Sequence, residues 1–243
     1  MRRYDTALVT GASRGLGAAL AREMGARGYR LMLVARSSDG LNRLADELRR
    51  AHGAVVHTHA ADLADTAALQ ACADAAEREF GVVDVLVNNA GTGQYKPLAE
   101  WTPAEIGECT ALNLTAPMLL ARSLVPGMAT RGRGMVVNVA SDLARRYLAN
   151  MAPYVATKFG LLGFSGSLLR EVKHRGVKVT TVMPGIIDTA FGGDAAAFEK
   201  GQRDPRGALD SALLARQIAD LLELPDSVVI DEISIHPLQQ QDY

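Results

Sequence analysis

Thr6-Ala7-Leu8-Val9-Thr10-Gly11-Ala12-Ser13-Arg14-Gly15-Leu16-Gly17 is the stretch in which the chain declares its architecture. The run 6–9 is short and apolar and reads as a strand, which passes through a glycine-rich turn into a helix. Gly11, Gly15 and Gly17 let the backbone turn tightly and come close to a pyrophosphate. The helix that follows presents unpaired N–H groups and the positive end of its dipole to such a group. Gly11, Ser13, Arg14, Gly15, Leu16 and Gly17 are therefore candidate phosphate-binding residues. A glycine turn in isolation says little; between a strand and a helix at the start of an α/β chain it says much more.

Beyond the turn, β-rich runs at 30–35, 55–59, 83–88, 135–139, 177–183 and 232–236 alternate with Ala- and Leu-rich amphipathic stretches such as 41–51, 67–80 and 103–130. Alternation of this kind predicts βαβ units and a parallel sheet of about seven strands. The expected fold class is α/β: a single-domain, Rossmann-type, doubly wound parallel sheet with helices on both faces, over residues 1–243. No Pro/Ser-rich linker or repeat divides it. One stretch, 189–208, breaks the rhythm with Gly, Ala and charge. It follows the sixth strand and would emerge at the carboxyl ends of the strands, where open α/β sheets bind ligands. The functional reading is a substrate lid, and a plain surface loop reads the same way.

The 243 residues are 48% hydrophobic and 22% charged, with a net charge of −1. That is the balance of a globular protein and gives no electrostatic footprint for nucleic acid. Cys72 and Cys109 have neither metal-ligand nor disulfide spacing and read as buried free thiols, which fits a reducing cytoplasm. No run is long enough to cross a bilayer, and no signal-peptide core precedes the first strand. A soluble cytoplasmic protein without nucleic-acid or membrane partners is expected, and no metal site.

The second strand runs into Leu33-Val34-Ala35-Arg36-Ser37. A carboxylate here would bond the ribose 2′-OH of NAD and repel the 2′-phosphate of NADP. Arg36 stands there instead, with Arg14 in the glycine turn, so two cations are available to a 2′-phosphate. Preference for NADP(H) over NAD(H) follows.

Tyr154 and Lys158 are spaced i, i+4 and share a helix face, with Ser141 upstream. A phenol titrates near pH ~10, too high for proton transfer at neutral pH. A lysine cation beside it favours phenolate, and a serine hydroxyl can hold a substrate oxygen. Together they form an acid–base device for an alcohol or ketone oxygen. Tyr-x-x-x-Lys alone is common, and an ordinary helix with a half-buried tyrosine and a solvated lysine reads the same way.

The surrounding motifs decide. The chain resembles the short-chain dehydrogenase/reductases, in their compact form, over nearly its whole length. The resemblance rests on Gly11-x-x-x-Gly15-x-Gly17, Asp62-Leu63 after the third strand, Asn88-Asn89-Ala90-Gly91 ending the fourth, Asn113, Ser141 with Tyr154 and Lys158, and Pro184-Gly185-Ile186-Ile187-Asp188-Thr189. It implies that Tyr154 is the general acid in reduction and the base in oxidation. Lys158 would depress the tyrosine's pKa and bond the nicotinamide ribose, and Ser141 would position the substrate oxygen. Asn113 would hold a water linking Lys158 to solvent. It further implies cofactor contacts at Asp62, Leu63, Asn89, Ala90, Gly91, Pro184, Gly185, Ile187 and Thr189, and packing of the long helices into a homodimer or homotetramer.

The reaction implied is hydride transfer between NADP(H) and a small-molecule ketone, aldehyde or alcohol. The ending Asp231-Glu232-Ile233-Ser234-Ile235-His236-Pro237-Leu238 is more similar to the branch acting on small hydroxy acids, amino alcohols and assorted ketones than to acyl-carrier-protein reductases. Arg145 or Arg146, turned inward, would bind a substrate carboxylate. The rival reading is a catalytically idle NADP(H)-binding sensor or scaffold, which would be expected to lose Tyr154, Lys158 or Ser141. Sugar-nucleotide epimerisation is disfavoured by the glycine spacing and by the lack of a large C-terminal substrate domain.

Overall fold

The computed structural model describes residues 4–189 and 207–240. Seven parallel strands form one sheet in the order β3-β2-β1-β4-β5-β6-β7. They are β1 Thr6–Thr10, β2 Arg30–Ala35, β3 Val56–Ala60, β4 Val85–Asn88, β5 Gly134–Val139, β6 Val177–Pro184 and β7 Glu232–Ile235. Pairing is in simple parallel register, with Leu8 opposite Met32 on one side and Leu86 on the other. The order reverses between β1 and β4, which opens a crevice at their carboxyl ends. This is the doubly wound Rossmann-type arrangement that the alternation predicts.

Strand side chains alternate between two cores. Ala7, Val9, Leu31, Leu33, Val85, Val87, Met135 and Val137 pack on one face with α1 (Gly15–Ala26), α2 (Ser38–His52) and α7 (Ser211–Leu222). Leu8, Met32, Val34, Leu86 and Val136 pack on the other with α3 (Thr66–Phe80), α5 (Ala116–Arg131) and α6 (Ala152–Val172). Short polar caps start the helices: Ser37, Asp65 and Asp210 accept N–H bonds, and Thr102 and Glu105 form a capping box around Pro103.

Two differences from the sequence expectations are informative. Val83 is buried but lies outside β4, because Asp84 beside it is drawn into side-chain bonding. The helix expected over 103–130 is three segments: α4 (Pro103–Thr110), a π-helical turn Ala111–Thr115, and α5. Hydrophobic periodicity hardly changes across one wider turn, so it does not register there. Most of the expected lid, 190–206, lies outside the described residues. Its two flanks meet: Asp188 N–H donates to the Leu209 carbonyl at 2.9 Å and Leu209 N–H to the Ile186 carbonyl at 2.8 Å.

At the opposite, amino-terminal edge of the sheet, buried Asp84 joins β1 to β4 and β5. It accepts from Asp5 N at 2.8 Å, Thr6 N at 3.0 Å and Thr6 Oγ1 at 3.1 Å, and pairs with Arg131 and Arg133. Asp84→Ala leaves two backbone donors and two arginines without their acceptor. It is expected to destabilise the fold by about 2–4 kcal/mol, read as a lower urea midpoint at unchanged slope.

Candidate active site

The crevice is closed at its base by side chain to backbone bonds between β1 and β4. Thr10 Oγ1 donates to the Val87 carbonyl at 3.2 Å and accepts from Asn89 N at 2.9 Å and Ala90 N at 3.0 Å. Asn89 Nδ2 returns a 2.9 Å bond to the Thr10 carbonyl. Gly11, at φ +66°, lies so near that a Cβ would come within 2.9 Å of Ala90 Cα. A Cβ on Gly17 would stand 2.3 Å from the Gly11 carbonyl oxygen. The turn is thus compact enough that only glycine fits either position.

Arg14 is the N-cap of α1 and accepts no bond from the helix with its side chain, so the first N–H groups face the crevice without a side-chain acceptor. Ser13 packs against the start of α2, where a Cβ on Gly40 would lie 3.0 Å from the Ser13 Cβ. Leu16 is buried, which leaves its backbone as the part available to a ligand. Across the crevice, a Cβ on Gly15 would meet the Thr189 methyl at 3.3 Å, so the turn 184–189 faces the glycine turn. A compact glycine cradle at a helix N-terminus without a side-chain cap fits a dinucleotide pyrophosphate.

The remaining candidates ring this cradle. Arg36 is exposed and held by Glu108 at 3.5 Å. Asp62 is exposed and accepts from Ala64 N, while Leu63 is buried beneath it. Pro184 ends β6, Gly185 N–H donates to the Ile235 carbonyl, and Ile187 bridges to Leu209.

On the substrate side, α6 carries Tyr154 and Lys158, both buried. Lys158 Nζ lies 5.5 Å from the centre of the Tyr154 ring and donates to the Val139 carbonyl at 3.1 Å. Burial pushes the Lys158 ammonium down to about 8, slightly countered by the nearby Cys109 thiol. Ser141, two residues past the end of β5, opens a short 3-10 turn, Asp142–Ala144, whose Leu143 shares an apolar cluster with Tyr154, Val155, Trp101 and Cys109.

A buried chain of amides sets the height of α6 on the sheet. Asn88 Nδ2 donates to Asn138 Oδ1, Asn138 Nδ2 to Ser165 Oγ, and Ser165 Oγ to the Leu161 carbonyl, at 2.8, 2.8 and 2.6 Å. Asn113 lies in the π turn. Its Oδ1 accepts from Thr92 N at 2.8 Å, and its Nδ2 donates to the Thr92 carbonyl at 2.8 Å and reaches Thr157 Oγ1 at 3.1 Å. The Asn113 amide therefore ties the loop after β4 to α6. That loop brings Gly93 against Tyr154, where a Cβ would sit 2.7 Å from the ring.

Thr10, Thr92, Gly93, Asp142, Thr157 and Gln240 all bear on the site, and the sequence reading assigned none of them. Gly93 and Thr157, beside recognised motifs, were within its reach; Gln240 carries no local signal. Arg145 pairs with Glu232 on β7 instead of turning inward. Both cysteines are buried and free, and burial raises the thiol pKa of each, that of Cys72 to about 12. Among the described residues no helix is long and apolar enough to cross a membrane.

A family model described as short chain dehydrogenase matches residues 5–200. D-threitol dehydrogenase of Mycolicibacterium smegmatis is 38% identical over 201 residues, which cover 83% of this chain and 75% of that protein. The 3-oxoacyl-acyl-carrier-protein reductase of Escherichia coli is 36% identical over 183 residues, covering 75% of this chain and 73% of the relative. An alcohol dehydrogenase from the archaeon Thermococcus sibiricus, solved in complex with 5-hydroxy-NADP, matches with a TM-score of 0.90 at 30% identity, over 98% of this chain and 99% of that one. With a family model matching most of its length and relatives of this identity and coverage, the chain belongs to the short-chain dehydrogenase/reductase family of oxidoreductases.

Proposed function

We propose that the protein interconverts a ketone or aldehyde and the corresponding alcohol with NADP(H), acting as one dinucleotide-binding domain. The observation that carries this reading is the buried Lys158 ammonium beneath the Tyr154 ring, at the crevice where the strand order reverses. Burying an ammonium is costly, and a tyrosine that works as an acid and base is a reason to keep one there.

A bound nicotinamide supplies or accepts the hydride at the substrate carbon. The chain's own residues hold the rest. Tyr154 gives its phenol proton to the carbonyl oxygen in reduction and takes it back in oxidation. The Lys158 charge favours the phenolate, and Ser141 hydrogen-bonds the substrate beside it. Asn113 serves the proton relay from the π turn by holding a water that links Lys158 to solvent. Gly11 to Gly17 hold the pyrophosphate, Asp62 and Leu63 border the adenine, and Asn89, Ala90 and Gly91 wall the crevice. Pro184, Gly185, Ile187 and Thr189 take the nicotinamide end.

NADP(H) preference rests on Arg36 and Arg14 standing where a ribose-binding carboxylate would repel the 2′-phosphate, and is supported by the NADP analogue in the Thermococcus sibiricus enzyme. We also infer a homodimer or homotetramer in a reducing cytoplasm. An idle sensor or scaffold has no observation in its favour, because Tyr154, Lys158 and Ser141 are all retained.

Following nicotinamide absorbance with NADPH and NADH, against a panel of ketones, hydroxy ketones, keto acids and quinones and, in reverse, polyols, hydroxy acids and serine, tests the assignment directly. Tyr154→Phe is expected to abolish nearly all turnover while NADPH still binds; retained turnover removes the tyrosine from the chemistry. Arg36→Ala is expected to weaken NADPH about ten- to a hundredfold, as loss of one charged contact to phosphate worth about 1.5–3 kcal/mol implies, and to leave NADH little changed. Equal losses on both cofactors contradict the 2′-phosphate role.

A further inference from the structure

The pairing of β5 with β6 ends at Val139 opposite Val182, with Ala140 N–H donating to the Val182 carbonyl at 2.8 Å. Past that bond the two strands lead apart. β5 runs into the turn that opens with Ser141, while β6 continues along β7 to Pro184 and enters the turn 184–189, proposed to take the nicotinamide end. The placement of one turn against the other sets how far a bound nicotinamide stands from the oxygen that Ser141 and Tyr154 hold. Ladder bonds between β5 and β6 no longer fix it there.

A side chain from the segment after β7 spans the gap. Gln240 Oε1 accepts from Ile186 N at 2.8 Å, and Gln240 Nε2 donates to Asp142 Oδ2 at 2.6 Å. Asp142 is 5% exposed, and its other oxygen meets Ser141 Oγ at 3.0 Å. His236 Nδ1 stands 3.9 Å from Oδ2, beyond hydrogen-bond reach, so it does not replace the Gln240 amide. The fit at the other turn is close: a Cβ on Gly185 would come within 2.9 Å of Gln240 Cδ and 3.1 Å of Pro237 Cδ. One amide therefore has its acceptor on the cofactor side and a donor on the substrate side. If either turn shifts, a polar group loses its partner away from water. Gln240 does at the ends of β5 and β6 what Thr10 and Asn89 do at the ends of β1 and β4.

We propose that Gln240 is a positioning residue for hydride transfer, fixing the turn 184–189 against the Ser141 turn and so setting the distance over which the hydride passes. This rests on the hydride-transfer reading above. In reduction the hydride leaves nicotinamide C4 with both electrons for the carbonyl carbon. Tyr154 gives its proton to the oxygen, Ser141 hydrogen-bonds the same oxygen, and the alcohol and the oxidised cofactor result. Gln240 makes and breaks no bond in this; it acts through the two turns.

Gln240→Met keeps the length of the side chain and removes both hydrogen bonds. In the cofactor-free protein, amide hydrogen exchange should quicken in peptides covering 141–146 and 184–188. With the fastest carbonyl compound of the panel above, kcat should fall about ten- to a hundredfold, the scale of a misplacement of about an ångström. NADPH affinity, read from its fluorescence, should stay within about threefold, because the glycine cradle is untouched.

Asp142→Asn combined with Gln240→Glu reverses the polarity of the bridge. The new amide at position 142 donates to the new carboxylate at position 240, whose second oxygen accepts from Ile186 N. This double variant should regain slow exchange in both turns and kcat to within about threefold of wild type. Quickened exchange with unchanged kcat would make Gln240 a brace for stability alone and overturn the proposal. So would unchanged exchange in either turn, a loss of NADPH affinity that matches the loss of kcat, or a reversed bridge as slow as Gln240→Met. Each of those results, with an active wild type, defeats this inference alone. Wild-type protein that oxidises NADPH with no carbonyl compound in the panel defeats the hydride-transfer reading, and this one with it.

Discussion

Thr10 and Asn89 lock the carboxyl ends of β1 and β4 through reciprocal hydrogen bonds at the point where the chain begins to wind the other way. At such a point the two connections leave on opposite sides of the sheet and the strand ends have nothing above them. Their last N–H and C=O groups must find partners or face a cleft. The Thr10 hydroxyl satisfies two of those N–H groups and the Asn89 amide one of the carbonyls. With the base of the crevice fixed, Gly11 and Gly17 can pack within side-chain-excluding distance of it, and the N-terminus of α1 is left facing the opening.

The other wall of the crevice is positioned by buried polar contacts rather than by apolar packing alone. The chain Asn88–Asn138–Ser165 crosses from β4 through β5 into α6, and Asn113 reaches from the π turn to Thr92 and Thr157. Apolar contacts tolerate a helix sliding by part of a turn. Buried amides do not, because each displaced donor or acceptor loses its partner where water cannot replace it. Tyr154 and Lys158 inherit their place from these bonds.

Much of this was legible in the chain. Every strand was expected within two residues of where it lies, because parallel strands buried on both faces read as short apolar runs between helical patterns. The glycine turn and the Ser141, Tyr154 and Lys158 spacing were legible because each is a local constraint. The break in the helix over 103–130 was not, since one extra residue in a turn leaves the hydrophobic pattern nearly intact; the Asn113 amide that binds Thr92 from that turn makes a contact between separate elements. Arg145 was open to an inward reading until β7 set Glu232 beside it.

The sequence by itself determined the α/β class, the doubly wound sheet, the position of the glycine turn and the spacing of the three residues proposed to carry the chemistry, because these depend on periodicity, glycine stereochemistry and spacing along the chain. Only the tertiary structure decided what those residues are bonded to. Ser141 Oγ is bonded to Asp142, which is held by Gln240 from 98 residues away. The Lys158 ammonium is held by a carbonyl 19 residues before it. A hydrogen bond requires its two atoms within about 3 Å, and between residues far apart in sequence only folding brings them there.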